Sequence, residues 1–141
     1  MDPEPTVLVV DDDPAVLASV EALFRAHGLA PRCFASAEEF LANFRGDGPG
    51  CLVTDLRLPG LSGLELHLRL QASGSPLSVI LVTGTADLSA GVPPEHRDLT
   101  ILEKPYTSAD LIHIVRHALA QSRERRQNAH QACIPPGAVP G

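Results

Sequence analysis

Three scarcities narrow the field for this chain. Its three cysteines, Cys33, Cys51 and Cys133, are odd in number and lack metal-ligand spacing, and the first two lie in or beside apolar runs. They read as reduced thiols rather than as a disulfide framework or a zinc site. Positive charge is also scarce, with 11 Lys and Arg against 17 Asp and Glu and a formal net charge of −6. Nucleic-acid phosphates call for clustered cations over a broad face. The only basic cluster, Arg123, Arg125 and Arg126, falls near the end of the last predicted helix, where cations suit the helix dipole. No direct nucleic-acid binding is therefore expected. Long apolar runs are missing too: no stretch approaches the roughly 20 residues that span a bilayer, and Met1-Asp2-Pro3-Glu4-Pro5 is acidic rather than a basic leader. The expectation is a soluble, cytoplasmic protein without a membrane partner.

What is present suffices for one domain. The 141 residues are 44% apolar, enough for a single core, and no internal repeat interrupts them. Short apolar runs at about Thr6 to Val10, Pro31 to Phe34, Cys51 to Thr54, Val79 to Val82 and Leu99 to Leu102 predict strands. Helix signals fall between them. Asp13-Pro14 opens a helix that Gly28 stops, and Ser36 with Glu39 and Ser62 with Glu65 have capping-box spacing. Thr107 caps a last helix on which Leu111, Ile114, Val115, Ala118 and Leu119 share a face, and which should fade after about Arg126. The segment Thr85 to Asp98 contains Gly91, Pro93 and Pro94 and leaves room for only a turn or two of helix. The expected domain runs from residue 1 to 126, and residues 127–141 lack period and bulk, so a disordered tail is expected. Alternating strands and helices predict a five-stranded, doubly wound parallel sheet covered on both faces.

Polar markers stand at the ends of four of these strands: Asp11 and Asp12, Asp55, Thr83, and Lys104 before Pro105. In an open α/β sheet the ligand crevice lies beyond the carboxyl ends of the strands, so the markers should converge. A dinucleotide site or a phosphate loop is disfavoured, because Asp11-Asp12-Asp13 replaces the glycine-rich turn and would repel pyrophosphate. Asp13 alone suffices as a helix cap; two further adjacent acids would repel one another without a cation. Mg²⁺ takes oxygen ligands and keeps several waters, so one or two carboxylates and a carbonyl suit it. Phosphoryl transfer onto a carboxylate needs charge neutralisation and hydrogen-bond donors around the acceptor, which a lysine and a hydroxyl supply. Singly, each marker has a plainer reading as a turn or cap residue. His113 and His117, four apart, have no third ligand in sight and read as a polar helix edge.

The motifs Val9-Val10-Asp11-Asp12-Asp13-Pro14, Thr54-Asp55-Leu56-Arg57-Leu58-Pro59-Gly60, Val82-Thr83-Gly84 and Glu103-Lys104-Pro105-Tyr106 resemble those of response-regulator receiver domains of bacterial two-component signalling. The resemblance covers about Thr6 to Gln121. It implies a flavodoxin-like sheet of order 2-1-3-4-5 and a phosphoryl-accepting Asp55. It also implies a Mg²⁺ site, open to Mn²⁺, from Asp11, Asp12, Asp55 and the Arg57 carbonyl. Thr83 and Lys104 would contact the phosphoryl group, with a cis peptide before Pro105. The implied phosphodonor is a phosphohistidine on a sensor histidine kinase or a histidine phosphotransfer protein, and the implied output is protein binding rather than turnover catalysis. Arg57 and Thr85, two residues after Asp55 and Thr83, flank the path of attacking water and are expected to tune phosphoryl lifetime.

The chain departs from the pattern at Ile101, where receivers commonly carry a switching Phe or Tyr, and in the broken segment expected to form the fourth helix. The surface of the fourth helix, fifth strand and last helix is where many receivers dimerise, and these departures do not carry that mode over to this chain. Two other readings remain: a degenerate receiver acting as a constitutive binding module, and a small phosphohydrolase of the haloacid-dehalogenase type using Asp11, with Asp13 two positions beyond as the acid–base residue.

Overall fold

A computed structural model describes residues 6–44, 48–84 and 100–132, with side chains described through residue 124. Five strands, β1 (Thr6–Val10), β2 (Pro31–Phe34), β3 (Gly50–Asp55), β4 (Ser78–Thr83) and β5 (Thr100–Glu103), form one sheet in the order β2-β1-β3-β4-β5. Every pairing is parallel. The helices α1 (Pro14–Ala26), α2 (Ala37–Asn43), α3 (Gly63–Ala72) and α4 (Ser108–Ala132) connect or follow them.

Strand alternation divides the core. Val7, Val9, Cys51, Val53, Ile80, Val82 and Leu102 point to one face and meet Val20 and Phe24 of α1 and Leu111, Ile112, Val115 and Ala118 of α4. Leu8, Val10, Leu52, Val79 and Leu81 point to the other and meet Phe40 of α2 and Leu66 and Leu70 of α3. A strand buried on both faces needs the continuous apolar runs seen in the sequence.

Local chemistry sets the helix starts. Asp13 caps α1 by accepting the Ala15 N–H at 2.9 Å, with Pro14 at the first helical position. Ser62 and Glu65 form a full capping box on α3. At α2 the box is displaced: Ser36 accepts the Glu39 N–H, whereas the Glu39 carboxylate accepts from Ala35 N rather than from Ser36 N. Thr107 and Asp110 cap α4 reciprocally.

The last helix corrects one expectation. It runs to Ala132, past Arg126, so the backbone from Gln127 to Ala132 is helical rather than tail. Gln127-Asn128-Ala129-His130-Gln131-Ala132 carries no apolar stripe, which is why hydrophobic period did not reveal it. At its last buried turn, Ser122 accepts the Gly50 N–H at 2.7 Å and donates to the Pro76 carbonyl at 2.6 Å, tying α4 to the lower edge of β3 and β4. The expected short fourth helix, Thr85 and residues 133–141 lie outside the described residues.

Candidate phosphoryl-transfer and metal site

The parallel register delivers the marker residues to one end of the sheet. β1 leads into Asp11, β3 ends on Asp55 beside Val82 of β4, and Thr83 pairs with Glu103. The Lys104 N–H donates to the Thr83 carbonyl at 2.8 Å, extending the β4–β5 ladder by one step, and the Lys104–Pro105 peptide is cis.

The acids meet as expected. Carboxylate oxygens of Asp11, Asp12 and Asp55 lie within 4.8 Å of one another, the one such His, Cys, Asp or Glu group among the described residues. Asp11 is buried and accepts the Asp13 N–H at 2.8 Å, which orients its carboxylate; Asp12 is exposed. Lys104 Nζ stands 3.3 Å from Asp55 Oδ1, with the Lys side chain 51% exposed and the Asp side chain 15% exposed. Burial, reinforced by Asp11, pushes the Asp55 carboxyl up to about 6, and Lys104 opposes that rise. Lys104 itself is raised: desolvation, the largest single influence, pulls it down, but Asp55, Asp11 and Tyr106 together outweigh it. The donor set is all oxygen and carries excess negative charge, so it suits a hard divalent cation such as Mg²⁺.

Thr83 is buried, and its hydroxyl donates to the Gly84 carbonyl at 3.2 Å, so in this conformation it serves its own loop. Arg57 follows Asp55 on an exposed loop position. Ile101 is half-buried against the face that carries Leu81, not against the acids. A recess of about 410 Å³ opens beside the cluster, lined by Asp11, Asp55, Lys104 and Tyr106 with valines from β1, α1, β3 and β4. Tyr106 packs on the α1-side core and was not singled out from the sequence. His113 and His117 are both exposed. Asp13, the acid–base partner that the hydrolase reading needs, accepts the Ala15 N–H through Oδ1 as the α1 cap.

Gly63 lets the loop after β3 close tightly. A Cβ there would collide with the Asp55 carbonyl oxygen, and its N–H donates to the Leu56 carbonyl at 2.9 Å.

Comparison with known proteins agrees with this geometry. The family model of the response regulator receiver domain matches residues 7–116. The response regulator protein TmoT of Ectopseudomonas mendocina is 34% identical over 131 residues, covering 92% of this chain and 60% of TmoT. The transcriptional regulatory protein FixJ of Azorhizobium caulinodans is 41% identical over 120 residues, covering 84% of this chain and 57% of FixJ. The response regulator StyR is a structural neighbour with a TM-score of 0.82 and 33% identity, covering 92% of this chain and 66% of StyR. The chain thus spans less than two thirds of the curated relatives named. FixJ is named a transcriptional regulator, so the expectation that excludes nucleic-acid partners loses its support. No helix among the described residues is long and apolar enough to cross a membrane. With the fold, the acidic cluster and the family match in agreement, this chain belongs to the response regulator receiver domain family of two-component systems.

Proposed function

We propose that Asp55 accepts a phosphoryl group from a phosphohistidine on a sensor histidine kinase or a histidine phosphotransfer protein, in a reaction that requires a divalent cation. The observation that carries this reading is the 3.3 Å approach of Lys104 Nζ to Asp55 Oδ1 beside the Asp11 and Asp12 carboxylates. Asp11, Asp12, Asp55 and the Arg57 carbonyl would hold Mg²⁺, or Mn²⁺ in its place. When bound, the cation supplies positive charge that offsets the charge of the phosphoryl oxygens.

The remaining work falls to the chain's own groups. An Asp55 oxygen attacks phosphorus, the P–N bond to the donor imidazole breaks, and the imidazole leaves with the bonding pair and takes a proton. With its carboxyl near 6, Asp55 is mostly ionised at neutral pH and so nucleophilic. The Lys104 ammonium then turns from the carboxylate to a phosphoryl oxygen, and the Thr83 hydroxyl leaves the Gly84 carbonyl for another. The acyl phosphate carries about −2 in place of the carboxylate's −1, a net change of about −1, and the shift of Thr83 passes to the loop from Gly84 to Asp98. Output is protein binding, in the cytoplasm, without turnover catalysis by the receiver itself.

Incubation with Mg²⁺ and a small phosphodonor, followed by intact mass, tests the reading. One phosphoryl group is expected on the wild type, none on Asp55→Asn and none after chelation. An unmodified wild type would favour a constitutive binding module, and modification at Asp11 with multiple turnover would favour a hydrolase.

A further inference from the structure

The last helix carries a pair of imidazoles that the phosphoryl-transfer site does not use. His113 and His117 are both exposed, and among the described residues neither makes a hydrogen bond or an ion pair. Their spacing of four places them on one side of α4 with Cβ atoms about 6 Å apart, so both rings can reach a single ion. Asp110, Gln121 and Glu124 follow the same side at steps of three or four, so no Lys or Arg stands on it to repel a cation. The backbone beneath is fixed. Leu111, Val115 and Ala118 are buried in the core on the opposite side, and Arg116 donates to the His27 carbonyl at 3.3 Å. Two ligands are thus presented on a scaffold that is already ordered, which lowers the entropic cost of binding.

Imidazole nitrogens suit Zn²⁺ and its transition-metal neighbours, whereas the hard Mg²⁺ prefers oxygen, so this pair differs in chemistry from the acidic cluster at Asp55. A closed zinc site takes four donors in a tetrahedron. The helix offers two, since the one group of three ligating side chains within 4.8 Å among the described residues is Asp11, Asp12 and Asp55. A two-fold axis through the ion brings the same pair from a second copy and completes the four with a self-closing interface. The formal net charge of −6, with Asp110 and Glu124 on this side, sets two copies against each other until a cation lies between them. We propose that His113 and His117 form half of a Zn²⁺ site shared by two copies of this chain, so that zinc drives pairing through the outer side of α4.

The test adds Zn²⁺ to the full chain at neutral pH, with Mg²⁺ present in excess to occupy the carboxylates. Sedimentation reads the mass, and the imidazole C–H signals read the ligands. One Zn²⁺ per two chains, a doubled mass that a chelator reverses, and shifts at His113 and His117 are expected. Mg²⁺ alone should leave the mass unchanged. His113→Ala and His117→Ala should each lose the zinc-dependent dimer while melting as the wild type does, because alanine suits an exposed helical position. A zinc-bound chain that stays monomeric would overturn the shared site. Pairing that survives both substitutions, or imidazole signals that zinc does not move, would overturn it as well. The result does not depend on phosphorylation of Asp55.

Discussion

Replacing Asp55 with Asn should stabilise the metal-free protein at neutral pH. The Asp55 carboxyl rises from 3.8 to about 6 on folding, first because it is buried and next because Asp11 faces it. A carboxyl raised in the folded state binds more protons folded than unfolded between about pH 4 and pH 6, so stability falls as pH rises through that window. The loss is then complete and constant at pH 7. A rise of about two units corresponds to about 3 kcal/mol. Asparagine keeps the shape and removes the charge, but it leaves Lys104 without its partner. That loss is already contained in the shift, which Lys104 holds down. The net gain is therefore about 3 kcal/mol, or roughly 6–12 °C for a domain of this size. Thermal melts of wild type and Asp55→Asn from pH 4 to pH 8, with and without Mg²⁺, measure it. The variants should converge at pH 4 and separate by pH 7, and Mg²⁺ should raise the wild type and not the variant. Equal or lower stability of Asp55→Asn at pH 7 without metal would refute the account of Asp55 as a strained carboxylate.

Other expectations can be checked in the same way. Gly63→Ala should cost more than about 2 kcal/mol in urea unfolding, because the added methyl meets backbone, which cannot yield as a flexible side chain would. Ser122→Ala should cost about 1–3 kcal/mol, since it leaves the Gly50 N–H, at a buried position, without its acceptor and frees the Pro76 carbonyl. Arg57→Ala and Thr85→Ala should change the decay rate of phosphorylated protein without preventing phosphorylation; unchanged decay in both would remove them from the path of water.

Strand ends, and with them the site, were legible because a buried parallel strand needs an apolar run and the first polar residue after it marks the crevice. Asp11 and Thr83 follow that rule directly, Asp55 and Lys104 stand one position later, after Thr54 and Glu103, and the register then brings these strand ends together. The cap residues Asp13 and Ser62 were legible for a similar reason: their partners lie within three positions. Contacts that span the chain left no such trace. Glu38 to Leu61 and Ser122 to Gly50 join residues with no shared period, and either could equally be a solvated polar residue on a helix. Ile112 lies beside the stripe of Leu111, Ile114, Val115, Ala118 and Leu119 and widens the apolar face that α4 adds to this core. Glu39 has the spacing of a box with Ser36, but its carboxylate accepts from Ala35 N, a partner that spacing alone does not show.

Ile101 offers the sharpest question about how the site speaks to the rest of the domain. It pairs with Leu81 and lies two positions before Glu103, the partner of Thr83, so Thr83 and Ile101 project from the same face of adjacent strands. An aromatic ring there could follow Thr83 by changing rotamer. A β-branched side chain is stiff at χ1 and already packs against the α3-side core. The movement of Thr83 on phosphorylation should therefore pass along the backbone of its own loop and not through position 101. Ile101→Val removes one methylene from a half-buried site and should cost about 0.5–1.5 kcal/mol while leaving the phosphorylation-induced amide shifts around Thr83 and Gly84 intact. Comparing those shifts in wild type and Ile101→Val, with a phosphoryl analogue bound, decides the matter. If the variant silences the response at Gly84 while still binding the analogue, Ile101 transmits the signal and the stiffness of its side chain does not prevent it.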